Sequence, residues 1–208
     1  MSAQTKQEEI LNAWSHGIGA ILGIVGLFFL LHKVDATQPW SVFSVIAYAL
    51  SIIILFTAST AYHAISNIDL KQKFRIVDHI SIYLLIAGTY TPVLLITLPN
   101  SLGWTLFYIV WGIAVFGVIL KLFFTGKFEI FSTLLYLVMG WLIVFDFSML
   151  SELLHPNGIL WLFAGGLFYT VGIVFYAIQN IPYNHVIWHF FVLAGAICHF
   201  MMMYWYVV

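Results

Sequence analysis

The 208-residue chain is 63% hydrophobic and 18% aromatic, carries only 7% charged residues and has a formal net charge of -1. That balance excludes an ordinary soluble domain, and seven Lys and Arg residues scattered along the chain form no basic surface for nucleic acid. At about 20 apolar residues per crossing, the length accommodates roughly seven spans joined by short connections, with no separate soluble domain.

The apolar runs predict spans near residues 17–31, 40–65, 80–98, 102–124, 128–150, 158–178 and 186–208. The expected fold is therefore an all-α membrane protein, a seven-transmembrane helix bundle forming one domain over residues 1–208. The interruptions HKVDATQP, SNIDLKQKFR, PNSLG, TGK, SELLHPN and QNIPYN are short and have breaker or polar character. Val34 and Ala36 after the first span mimic a signal-peptide cleavage site. The preceding residues set Lys6 against Glu8 and Glu9, however, and lack the positive flank that a signal requires, so the first span reads as a retained helix. No internal repeat is evident, which counts against an inverted-repeat transporter.

Basic residues fall on alternate connections. Lys6, Lys71, Lys73, Arg75, Lys121 and Lys127 share one side and Lys33 alone holds the other. This asymmetry predicts a cytoplasmic N-terminus and an outside C-terminus in a multi-pass membrane protein. Trp14, Trp40, Trp104 and Trp161 lie near predicted span ends, as an aromatic belt requires. Within the spans, Gly19, Gly23, Gly165 and Gly166 read as sites of close helix packing and Pro92 as a kink in the third span. The single cysteine, Cys198, lies in the last apolar run and reads as a small packing residue.

This topology gathers polar residues at the inner face. His63 ends the second span, Asp78 opens the third, and His185 and His189 open the seventh, one helical turn apart and on one face. Ser59 lies one turn before His63, and His16 begins the first span at the same level. Three imidazoles and a free fourth position form an open zinc site, and His63, His185 and His189 fit it. Polar side chains inside a membrane pair, bind or react. Asp78 would then orient the attacking water or take its proton, with Ser59 as hydrogen-bond partner. The competing reading makes the histidines interfacial polar groups and Asp78 a cap on the third helix; spacing and topology leave both open.

Other polar residues carry weaker signals. His79 points about 100° away from Asp78 on a helix and reads as a packing or loop-bonding residue. Glu9, Asn12 and His16 follow an approximate one-turn spacing that could close the site from below, although N-terminal capping explains Asn12 and Ser15 as well. Asp146 is an acid within the fifth span near the outer face, expected to pair with a Tyr or Trp or to line a substrate path. His32 and His155 belong to outer connections, and His199 lies past the middle of the seventh span, so these three are poor candidates for the same centre.

The residues Glu9, Asn12, Ser15 and His16 in EEILNAWSHG, Ser59 and His63 in STAYHAI, Asp78 in RIVDHISIYLLIAGTYTP, and HVIWH near the end resemble the bacterial hemolysin III proteins, within the progestin and adipoQ receptor family. The resemblance covers nearly the whole chain, in order. It implies Zn2+ on His63, His185 and His189, roles near the metal for Asp78 and Ser59, and lipid-related activity, since the adiponectin receptors are similar to ceramide-hydrolysing enzymes. Those receptors commonly carry Gln after the first His of the last motif, where this chain has Val186. Three functions follow as expectations: a zinc-dependent hydrolase of a lipid amide or ester serving membrane lipid homeostasis, a lipid-responsive sensor with structural zinc, or a cytolytic pore former. The pore former is the least supported, because seven apolar spans leave no polar face for a soluble secreted state. A membrane lipid is the expected substrate or ligand.

Overall fold

The computed structural model describes residues 4–208. Among the described residues eight α-helices follow one another: α1 Lys6–Lys33, α2 Ser41–Ala64, α3 Ile68–Pro92, α4 Gly103–Phe124, α5 Glu129–Gly140, α6 Phe147–Leu153, α7 Pro156–Ala177 and α8 Asn184–Met202. Since α5 and α6 form one span, Glu129–Leu153, seven helical segments are long and apolar enough to cross a membrane. α2 lies between α1 and α3, α8 lies between α1 and α7, and α3 also meets α4 and α5. Outward faces carry large apolar side chains such as Phe123, Phe145 and Leu160, at 75%, 70% and 67% exposure, a surface suited to lipid rather than water.

Two helices start well before their apolar runs, and this extension places the site. Thr5 caps α1 through a capping box: its Oγ1 accepts from the Glu8 N–H at 3.2 Å, and the Glu8 carboxylate accepts from the Thr5 N–H at 2.7 Å. α1 therefore begins at Lys6 rather than near residue 17, and Asn12 and Ser15 are interior positions, not caps. Asn67 caps α3, its Oδ1 accepting from the Leu70 N–H at 3.0 Å. Asp78 consequently lies almost three turns inside α3, which removes the capping explanation for it.

Helix contacts explain most of the glycines. A Cβ added at Gly19 would stand 2.7 Å from the Phe56 ring, and one at Gly23 would stand 2.9 Å from Ile52, so α1 and α2 approach closely through these positions. Gly166 differs from the sequence reading, because a Cβ there would meet nothing within 4 Å. It borders a cavity instead.

Two spans depart from regular helix. Pro92 was expected to kink the third span; α3 instead passes at Pro92 into a π-helical turn, Val93–Thr97, closed by Leu98 N–H donating to the Val93 carbonyl at 3.1 Å. Proline has no N–H to donate to the Gly88 carbonyl one turn back, so the regular α ladder is interrupted directly before the wider turn. The fifth span breaks between α5 and α6 into a 3-10 segment, Leu142–Asp146. Tyr90 of α3 repairs that break: its hydroxyl donates to the Gly140 carbonyl at 2.9 Å and accepts from the Ile143 N–H at 3.0 Å.

The break also gives Asp146 its role. Its carboxylate accepts from Ser101 Oγ at 2.8 Å and from the Leu102 N–H at 3.0 Å, directly before α4. It thus ties the fifth span to the N-terminus of α4, where negative charge is favourable, and pairs with neither Tyr nor Trp. Lys121, placed in a connection by the sequence reading, lies within α4, fully buried and donating to Glu129 at 2.7 Å.

Candidate metal centre

α2 brings His63 and α8 brings His185 and His189 to a single point. One ligand nitrogen from each lies within 4.8 Å of the other two. The imidazole centroids are 5.3 Å apart for His63 and His185, 4.9 Å for His63 and His189, and 4.7 Å for His185 and His189. His63 and His189 are 4% and 2% exposed. The one-turn spacing of His185 and His189 puts both rings on the same face of α8, turned toward the last turn of α2.

The hydrogen bonds of the site fit a metal. His63 Nδ1 stands 2.7 Å from Glu9 Oε2, so its N–H is committed to the carboxylate and the free pair remains on Nε2. Nε2 of His63 and Nε2 of His185 are both buried with no hydrogen-bond partner. Orphaned buried nitrogens are costly, and a shared cation would satisfy clustered ones. Glu9 in turn receives Lys71 Nζ of α3 at 3.0 Å. The resulting Lys71–Glu9–His63 chain has the pattern in which a carboxylate fixes the orientation and tautomer of a ligating histidine. Three neutral nitrogen donors in this arrangement could hold a divalent metal ion.

The remaining predicted residues divide clearly. His185, His189, Ser59 and Asp78 line one cavity of about 130 Å³, together with His16 and His79. Ser59 Oγ is buried and unpartnered, whereas Ser15 and Asn12 bond within the N-terminal region: Ser15 Oγ donates to the Asn12 carbonyl at 3.0 Å, and Asn12 Nδ2 to Gln4 Oε1 at 3.0 Å. His79 is buried and its Nδ1 bonds the Arg75 carbonyl at 2.7 Å, one turn back on its own helix, so it bonds helix rather than loop. His16 stacks on His189, with centroids 3.7 Å apart and rings 11° from parallel, and meets Phe56 edge-on. It packs against the cluster without joining the ligand group.

Val186 is buried and apolar; the carboxylate beside the cluster is that of Glu9. The sequence spacing of Glu9, Asn12 and His16 marked one face of α1, but the pairing of Glu9 with His63 across 54 positions has no local signal. His155 caps α7, accepting from the Asn157 N–H at 3.1 Å, and stacks on Tyr206, far from the cluster in role. His199, set aside by the sequence reading, is also outside the ligand group, yet it borders the cavity.

Seven apolar helices around a buried three-histidine group that could hold a metal ion define a multi-pass membrane protein with a candidate metal centre. The chain belongs to the haemolysin III family, whose description, haemolysin-III related, matches residues 4–200. It is 45% identical over 208 residues to Hemolysin-3 of Bacillus cereus, covering 99% of this chain and 94% of that one. It is 42% identical to a Hemolysin-3 homolog of Bacillus subtilis, covering 98% and 96%. Monocyte to macrophage differentiation factor of Homo sapiens is 28% identical, covering 94% and 83%. Its apolar helices and its family make this chain a multi-pass protein of the plasma membrane.

One consequence of the geometry concerns Glu9. Glu9→Gln removes the charge that orients His63 while keeping the side-chain shape, and affinity for a divalent metal ion should fall about 10- to 100-fold. Titration of metal-free protein against a competing chelator measures this, and unchanged affinity would show that Glu9 does not support the site.

Proposed function

We propose that the chain is a zinc-dependent hydrolase that cleaves an amide or ester bond of a membrane lipid and so serves membrane lipid homeostasis. The observation that carries this reading is the common cavity: two of the three clustered histidines share it with a carboxylate, Asp78, and an unpartnered hydroxyl, Ser59. His63, His185 and His189 would hold the ion, and Glu9 keeps Nε2 of His63 available for it. When bound, the ion supplies polarisation of the scissile carbonyl and acidification of water.

Asp78 is the base in this scheme. It takes a proton from the attacking water and returns it to the leaving amine or alcohol, so the bond between acyl carbon and leaving group breaks as the water oxygen joins the carbonyl carbon. Ser59 hydrogen-bonds the water or the substrate carbonyl. Apolar walls that include Leu55, Ile82, Leu85 and Ile86 take the acyl portion and exclude bulk water. A lipid reaches such a site from within the bilayer, which suits a centre enclosed by membrane helices.

Lipid profiling of a deletion strain tests this reading. A lipid amide or ester should accumulate and return to its normal level on complementation with wild type but not with Asp78→Asn. Equal rescue by both would contradict a hydrolytic role. The site also has an expected side: basic residues concentrate on the side of Lys6, Lys71, Lys73 and Arg75, which supports a cytoplasmic N-terminus and a cytoplasmic site. Reporter fusions after Val208 should then report an outside C-terminus; a cytoplasmic signal would reverse the orientation.

A further inference from the structure

A second cavity, of about 210 Å³, lies beyond the first, and the two share Thr89, Tyr90, Gly140, Trp141, Gly166 and His199 in their walls. These six residues form the border between the two cavities. Most polar atoms there are already committed: the Tyr90 hydroxyl to Gly140 and Ile143, and Trp141 Nε1 to Thr170 Oγ1 at 3.3 Å. His199 is different. Its Nε2 stands 3.2 Å from the Leu162 carbonyl, which fixes the N–H on Nε2 and leaves Nδ1 as an acceptor. That Nδ1 is buried and has no partner.

The seating of this ring is specific. His199 is 8% exposed, and a Cβ added at Gly165 would stand 2.2 Å from its Cδ2, so only glycine leaves room for the imidazole. An unpartnered acceptor is expensive at this depth, and intramembrane ionisable residues mark functional sites. His199 lies ten residues beyond His189 on α8, about 15 Å along the helix axis. A long acyl chain whose reactive end lies at the histidine cluster would meet this border near its middle.

The geometry points to His199 as a recognition residue for a mid-chain hydroxyl: its Nδ1 accepts the O–H of a hydroxylated acyl chain lying through both cavities. This rests on the reading that the site takes an acyl lipid. The hydroxyl supplies the donor that Nδ1 lacks, whereas a plain chain leaves it unsatisfied. His199 orients and selects the chain; it is remote from the reacting atoms.

The test uses purified full-length protein in detergent and measures binding of 12-hydroxystearate, 2-hydroxystearate and stearate. Wild type should bind 12-hydroxystearate about 5-fold tighter than stearate, the effect of one neutral hydrogen bond, with no such gain for the 2-hydroxy isomer. His199→Phe keeps a ring against Gly165 but has no acceptor, and should erase the preference while still binding stearate. Equal affinity of wild type for the three acids would overturn the inference and leave the lipid reading standing. Binding of none of them would overturn both. The comparison within wild type decides the matter even if the variant does not fold.

Discussion

Asp78→Asn should leave the fold and most of the bound zinc in place and lower turnover of the lipid substrate by about 10²- to 10⁴-fold, the range typical of losing a general base. The substitution keeps the side-chain shape and removes the proton acceptor. Asp78 is not one of the three clustered ligands and lies inside α3, not at its cap, so neither metal content nor helix initiation depends on its charge. Ser59→Ala should act in the same direction but more mildly, because a hydroxyl that only hydrogen-bonds contributes less than the base. Measured kcat with metal content determined in parallel separates these effects. A variant that lost zinc and turnover together would make Asp78 a ligand rather than a base.

The second large effect is on the metal itself. Three protein ligands leave none to spare, so His63→Ala, His185→Ala and His189→Ala should each reduce zinc in the purified protein from about one per chain to a small fraction of that. His155→Ala is the control, since that ring stacks on Tyr206 and caps α7. Elemental analysis reads the outcome directly. Full zinc in all three ligand variants would remove the centre from these residues.

The seven crossings are legible in the sequence because a membrane span is encoded in composition over some twenty positions. So are the three histidines and Asp78, since alternation of the chain across the bilayer places them at one depth. Other features depend on contacts between distant segments. The break after Gly140 occurs in the apolar run WLIVF, which has no turn residues, and it is stabilised by Tyr90 from another helix. Asp146 caps a helix through residues 44 and 45 positions earlier, so only the folded chain shows its partners. The capping box at Thr5 and Glu8 is readable in retrospect as T-x-x-E, and it carries α1 far enough to bring Glu9 to His63. His16 could be assigned a level but not a partner, because its stacking on His189 depends on how α1 and α8 meet.

Fatty acid release by the purified, zinc-loaded protein, supplied with a panel of ceramides, phospholipids and acylated amines, is the decisive measurement for the proposed chemistry. At least one lipid should be cleaved by wild type, with release stopping when a chelator strips the metal and returning when zinc is restored. A fully loaded, folded protein that releases nothing from any member of the panel would contradict hydrolysis and make the three-histidine centre a structural one.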